Sequence, residues 1–306
     1  MRILVTGGAG FIGSNIVDAM LAHDHEVAVM DDLSTGKEVN VARDVKFYRA
    51  DIRDNDALTR IFNEFKPEMI SHQAAKADVR DSMQHPQQYA EVNIIGTLNL
   101  LENARRIGTQ KIIYAGTGGA TYGEPQYLPV KEDHPVNPLD PYGASKHHVE
   151  HYLFLYQYNY GLKYTVLRYP NVYGPRQNPF GEAGVIAIFT YKMLNGETPT
   201  INGKGDKERD FCFVGDVARA NVLSLSNGDN QIYNIGSGVG TNINTIYEKL
   251  QRATGFDKPV NYAPDKPGEV YKIYLDATKA GRELGWEANV GLDEGLQLTV
   301  DSLRGR

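Results

Sequence analysis

Two short stretches hold residue types that can do chemistry. The first is Thr6-Gly7-Gly8-Ala9-Gly10-Phe11-Ile12-Gly13, which contains G-x-G-x-x-G at Gly8, Gly10 and Gly13 and G-x-x-G-x-x-G at Gly7, Gly10 and Gly13. It follows the apolar run Ile3-Leu4-Val5 and opens an amphipathic stretch. In that strand–turn–helix setting, missing side chains let backbone N–H groups approach a pyrophosphate at the positive end of a helix. Gly13 also lets the helix pack closely on the strand. Asp31 closes the next apolar run, 18 residues beyond Gly13. That is near the offset at which an acid accepts hydrogen bonds from an adenosine ribose. A carboxylate there repels a 2′-phosphate, which favours NAD over NADP. Asp32 adds a second acid, and Lys37 an opposing charge. Asp51-Ile52, after a further short strand, is placed to frame the adenine edge.

The second stretch is Tyr142-Gly143-Ala144-Ser145-Lys146, with a phenol and an ammonium at i and i+4 on one helix face. A free tyrosine titrates near pH ~10 and is a poor base at neutrality. A neighbouring lysine and the positive nicotinamide ring both favour the phenolate. Such a tyrosine can take a proton from a substrate hydroxyl while a hydride leaves the same carbon.

The elements that must position these groups follow from periodicity. Apolar runs at Arg2 to Thr6, Val27 to Met30, Met69 to His72, Lys111 to Tyr114 and Tyr164 to Leu167 read as buried strands. Helical spacing is expected from Phe11 to about His23, Asp54 to Phe65, Gln84 to Ile107 and Pro141 to Tyr160. Strands alternating with helices predict a Rossmann-like, doubly wound parallel α/β sheet covered on both faces. Near Pro170 the texture changes: Gly174, Pro175, Pro179, Gly181, Gly184 and Pro199 crowd around a helical stretch from Val185 to Asn195. A smaller α/β substrate-binding domain is expected beside the sheet. The expected division is 1–170 with about 207–235 for NAD, and about 171–206 with 236–306 for substrate.

The 306 residues suffice for about two domains. With 41% apolar and 23% charged residues, the chain has the balance of a soluble globular protein. Its net charge of −6 supplies no field for nucleic acid or anionic lipid, so neither is expected as a partner. No apolar run reaches membrane-spanning length and no targeting signal is read, and with one cysteine, Cys212, no intrachain disulfide forms. A cytoplasmic protein is expected. His147 and His151 have metal-ligand spacing but no H-E-x-x-H context, so no metal is expected. Cys212 and His72 read as core residues, and Arg105-Arg106 as an exposed helix end.

TGGAGFIG, YGASK and LRYPNVYGPRQNP together resemble the extended short-chain dehydrogenase/reductase family, most closely its UDP-glucose 4-epimerase type. HQAAKADVRDS, NIIGT (Asn93 to Thr97), RDFCFVGDV and PGEVYKIYLDATKAGRELGW extend the resemblance from Met1 to about Trp286. The resemblance implies that Gly7, Gly10 and Gly13, with Phe11 and Ile12, hold the NAD pyrophosphate. Asp31 and Asp32 would serve the ribose, and Asp51 and Ile52 the adenine. Ala74, Ala75, Asn93 and Tyr169 would complete the cofactor set. Tyr142 would be the base, and Lys146 would bind the nicotinamide ribose and tune Tyr142. Asn171, Val185, Arg209 and Glu269 would contact the UDP-sugar. A homodimer is also implied, through the helices at 84–107 and 142–160, where Leu153, Leu155, Tyr156 and Tyr160 are the expected spare apolar residues.

Two departures from the family pattern stand out. The usual Ser or Thr four residues before Tyr122 is Gly118, which leaves Thr117 and Thr121 as candidates to bridge Tyr142 and the sugar. The arginine usually found two residues before Gly268 is Lys266, a charge without a planar fork. Thr117 is followed by Gly118, Gly119 and Ala120, so the carboxylate that dehydratases and decarboxylases carry there is missing. Epimerisation at C4 of a UDP-hexose is the favoured reaction. Another nucleotide-sugar enzyme of the family and a non-catalytic NAD-binding sensor are the alternatives. Ile273 is the position at which the family tunes room for an N-acetyl group.

Overall fold

The computed structural model describes residues 1–180, 184–265 and 270–304. Seven parallel strands form the main sheet: β1 (Arg2–Thr6), β2 (Glu26–Asp31), β3 (Lys46–Arg49), β4 (Met69–His72), β5 (Lys111–Thr117), β6 (Lys163–Tyr169) and β11 (Gln231–Asn234). Their spatial order is β11-β6-β5-β4-β1-β2-β3. The chain winds outward in one direction from β1 through β2 to β3, then returns and builds the other way from β4. A crevice therefore opens above the carboxyl ends of β1 and β4, where ligands bind in sheets of this kind. Central strands buried on both faces read as near-continuous apolar runs. Ile3, Leu4, Val5, Ile112 and Ile113 are accordingly almost wholly excluded from solvent.

Helices α1 (Phe11–Leu21) and α9 (Val214–Leu223) cover one face. Their core includes Ile16, Met20 and Val217. Helix α2 (Asn55–Phe65) covers the other face with two later helices, and Asp54 caps it by accepting from the Ala57 N–H at 2.9 Å. The single helix expected over 84–107 is instead broken. A helix α3 (Val79–Gln84) precedes it, then α4 (Pro86–Tyr89), a wide π-helical turn (Ala90–Gly96) and α5 (Thr97–Ile107). Pro86 starts α4 because a proline at the first helical position forfeits no hydrogen bond. The wide turn carries Asn93 inward, where its amide bonds both the N–H and the C=O of Lys76. After β5 comes a single helical turn, α6 (Gly118–Thr121). Helix α7 (Pro141–Tyr160) runs as expected, capped by the Asp140 carboxylate on the Gly143 N–H at 2.7 Å.

The C-terminal elements are short. β7 (Asn171–Tyr173) pairs with β10 (Phe211–Phe213), and β8 (Thr200–Asn202) with β13 (Asn261–Ala263). β9 (Glu208–Arg209) lies between β12 (Thr241–Asn242) and β14 (Lys272–Ile273). Helices α8 (Val185–Leu194), α10 (Ile243–Thr254) and α12 (Leu292–Arg304) share a second core of Ile186, Phe189, Tyr247, Leu250 and Leu296. Helix α11 (Thr278–Leu284) packs beside β11. On α7, Leu153 and Tyr156 are spent in the main core rather than spare. On α7 the exposed aromatic residues are Phe154, Tyr158 and Tyr160, with His151, Phe154 and Tyr158 stacked in series.

Candidate active site

A cleft of about 920 Å³ opens over the carboxyl ends of β1, β2, β4 and β5. The glycine turn forms one wall. Gly7 has φ +67°, and a Cβ there would sit 2.7 Å from the Ala74 backbone nitrogen. A Cβ on Gly13 would sit 2.2 Å from the Gly7 carbonyl oxygen, so only glycine lets α1 begin so close to β1. No side chain caps α1, and its first turn faces the cleft with Gly10, Phe11, Ile12 and Gly13. This cradle, which a side chain would fill, suits a pyrophosphate.

Asp31 ends β2 beside the cradle. Its carboxylate accepts from the Ala9 N–H at 3.0 Å and the Leu33 N–H at 2.8 Å. Burial raises its pKa, against the pull of those two bonds. Asp32 also lines the cleft, but its carboxylate is engaged by the Ser34 N–H and hydroxyl. Asp51 and Ile52 line the far end. Arg53 grips Asp51, with Nη2 to Oδ2 at 2.6 Å, and holds its carboxyl below the ordinary value.

Ala74, Ala75 and Tyr169 line the middle of the cleft, as do Thr117, Tyr142 and Lys146. Thr117, the last residue of β5, lies against the Tyr142 phenol and favours its ionised form. Burial nonetheless pushes Tyr142 up to about 12. One turn along α7, the Lys146 ammonium sits 4.3 Å from the centre of the Tyr114 ring. Burial brings its pKa down to about 7. Burial therefore favours a protonated phenol at neutral pH and brings the lysine close to its titration midpoint. A cation placed in the cleft is what the tyrosine needs to ionise.

A buried relay sets this geometry from behind. Thr97 donates its hydroxyl to the Asn93 carbonyl at 2.6 Å, so His72 Nε2–H donates to Thr97 Oγ1 at 2.9 Å. His72 Nδ1 then accepts from the Thr6 hydroxyl at 2.7 Å. Burial and the Lys146 charge lower the imidazole to about 3, so it stays neutral and keeps that donor–acceptor pattern. Asn93 bonds Ser145 Oγ at 2.8 Å, and Ser145 bonds the Tyr142 carbonyl. Asn93, expected in the cofactor set, is thus buried behind the cleft wall and joins the wide turn to the catalytic helix.

The substrate candidates are more scattered. Thr121 is fully buried and its hydroxyl has no partner among the described residues. Gly118 has a steric cause, because a Cβ there would meet Leu275 Cδ1 at 2.3 Å. Asn171 opens β7 and Val185 opens α8, while the flanking Pro170 and Val172 line the cleft. Arg209, on β9, donates from Nη1 to the carbonyls of Glu208 and Tyr271. Ile273 is buried with Tyr122, Val130 and Leu275 rather than facing the cleft. Lys266 and Glu269 lie outside the described residues. Sequence reasoning missed Gln73, Lys76 and Arg176, which also line the cleft. Arg176 has a left-handed backbone, φ +72°, and reaches Asp18 on α1 at 2.6 Å.

Residues 3–236 match the model of the NAD dependent epimerase/dehydratase family. The chain belongs to that family. A UDP-glucose 4-epimerase of Mycolicibacterium smegmatis is 42% identical over 312 residues, covering 100% of this chain and 99% of the relative. The crystal structure of UDP-glucose 4-epimerase with UDP-glucose from Thermotoga maritima superposes with a TM-score of 0.98 at 49% identity, covering 100% of this chain and 99% of that one. The Thermus thermophilus UDP-glucose 4-epimerase complex with NAD gives a TM-score of 0.95 at 47% identity, with the same coverage. Within this epimerase/dehydratase fold, the glycine cradle, Asp31 and the Tyr142–Lys146 pair share one cleft.

Proposed function

We propose that the protein interconverts UDP-galactose and UDP-glucose, inverting C4 of the hexose by way of a 4-keto sugar. One observation carries this reading: the Tyr142 phenol, with Thr117 against it and Lys146 one turn on, opens into the same cleft as the pyrophosphate cradle and Asp31. NAD bound across that cleft supplies a hydride acceptor that returns what it takes, so no reduced cofactor accumulates. Tyr142 accepts the proton of the C4 hydroxyl and returns it to the C4 oxygen when the hydride comes back to the other face of C4. Thr117 orients that hydroxyl, and Lys146 binds the nicotinamide ribose and supports the phenolate. Gly118, Gly119 and Ala120 offer no carboxylate beside Thr117, which favours epimerisation over elimination.

Asn171, Arg209 and Lys266 hold the diphosphate, Glu269 contacts the uridine ribose, and Val185 adds a further substrate contact. Residues 1–170 with about 207–235 form the cofactor domain, and about 171–206 with 236–306 the substrate domain. The exposed stack of His151, Phe154 and Tyr158 on α7 supports a homodimer through this helix. A lone buried thiol, Cys212, supports a cytoplasmic setting.

The test is to incubate the protein with UDP-galactose and separate the nucleotide sugars. UDP-glucose should appear without net NADH. Tyr142→Phe should lower kcat by about 10³-fold, the scale of lost acid–base catalysis, with bound NAD unchanged. Full activity in that variant contradicts the reading.

A further inference from the structure

The catalytic helix carries a third ionisable residue on the Tyr142–Lys146 stripe. Glu150 follows Lys146 by four residues, as Lys146 follows Tyr142, so the three stack along one side of α7. Glu150 is only 6% exposed. Arg168 on β6, 2% exposed, clamps it with two bonds, Nε to Oε1 at 2.9 Å and Nη2 to Oε2 at 2.6 Å. The carboxylate tucks under the cleft floor. A Cβ on Gly116, which lines the cleft, would lie 3.4 Å from Glu150 Oε1.

Arg168 is anchored on its far side. Its Nη1 donates to the Tyr122 phenol at 2.7 Å, and that phenol donates to Asn234 Oδ1 at 2.7 Å. The pair is thus a fixed dipole with its negative end on the helix that bears Lys146 and its positive end turned toward Tyr122. A buried ion pair is an expensive way to fill space, and apolar side chains of similar volume often serve stability as well. Its worth here lies in what the negative end does to the neighbouring ammonium.

We propose that Glu150 is a positioning residue: the buried counter-charge that keeps the Lys146 ammonium charged beside Tyr142, with Arg168 as its anchor. This rests on the Tyr142–Lys146 reading given above. Several groups share the field. On α7, His147 Nδ1 lies 3.3 Å from Glu150 Oε2. On β6, Arg168 and Tyr164 face the carboxylate, as does Tyr114 from β5. His72 on β4 faces Lys146 and is neutral. Among these, Glu150 favours the charged lysine, whereas burial opposes it.

The test uses the cofactor-loaded double variant E150Q/R168M, which removes the counter-charge without stranding a buried arginine. Lys146 is followed by the Cε signal of carbon-13-labelled lysine, assigned with Lys146→Met. The Lys146 titration midpoint should move to lower pH by roughly half a unit or more. The alkaline limb of the kcat profile should move with it, and kcat above neutrality should fall by about three- to ten-fold, since one unit of pKa is a tenfold change in charged fraction. KM and bound cofactor should stay within about twofold, because neither ligand touches the pair. A folded double variant with an unmoved midpoint overturns the proposal and leaves the pair purely structural. Should this variant not fold, E150Q/R168K carries the same test, since its buried lysine can shed its proton. If the wild type turns over no UDP-galactose, the proposed function fails, while the titration still reads the counter-charge by itself.

Discussion

The cofactor cradle and the candidate substrate strands are built to opposite tolerances. In the cradle the contacts leave no slack: Gly7, Gly13 and Ala74 meet backbone to backbone, and Asp31 is held by two N–H groups. The substrate candidates Asn171 and Arg209, by contrast, come from strands of three and two residues, paired with equally short partners. A protein that keeps one ligand through every turnover, yet lets a sugar present either face, needs this asymmetry. Rigid complementarity belongs where the ligand never moves, and sparse contacts belong where it must turn.

The contrast can be broken first at its tight end. Gly13→Ala should cut retained NAD by about 100-fold and destabilise the chain by roughly 1–3 kcal/mol, because an added methyl against backbone has nowhere to go. Cofactor content after purification and chemical denaturation check both. The loose end should respond differently. Arg209→Gln should raise the KM for UDP-galactose by about tenfold, the scale of one charge-assisted bond to phosphate, with kcat and bound NAD little changed. If R209Q loses cofactor instead, the two ends are not independent.

The smallest effect is on stability and turns on pH. Burial lowers Lys146 from its ordinary 10.5 to about 7 in the folded chain. The folded state therefore binds fewer protons than the unfolded one between those values, and stability rises with pH across that window. Lys146→Met removes this penalty. It should abolish turnover yet raise the Tm of the cofactor-free protein by a few degrees, about 1 kcal/mol's worth, and more at pH ~6 than at pH ~9. Calorimetry at the two pH values decides.

Much of the tight end was legible because its signals are local. β1, β2, β4, β5 and β6 are mostly apolar runs, as strands covered on both faces tend to be. The glycine spacing, Asp31 and the Tyr142–Lys146 pair each lie on one element. The rest depends on distance through space. Hydrophobic spacing continues across 84–107, so nothing announced the wide turn that aims Asn93 at Ser145. Two-residue strands such as β9, β12 and β14 are too short to show a period. Sequence favoured Thr117 over Thr121 as the catalytic hydroxyl but could not decide between them. Only the fold places Thr117 against the phenol and Leu275 where a side chain at Gly118 would have to go. His72 read correctly as a hydrogen-bonded core histidine, but its partners, Thr6 and Thr97, lie far off in sequence.

The central claim is that one cleft removes and restores the same hydrogen at C4, with Tyr142 handling the accompanying proton. UDP-galactose carrying deuterium at C4, turned over in ordinary water by the purified protein, tests it directly. UDP-glucose with the deuterium retained at C4 is the predicted product. Product that has exchanged its label for solvent hydrogen would contradict that claim.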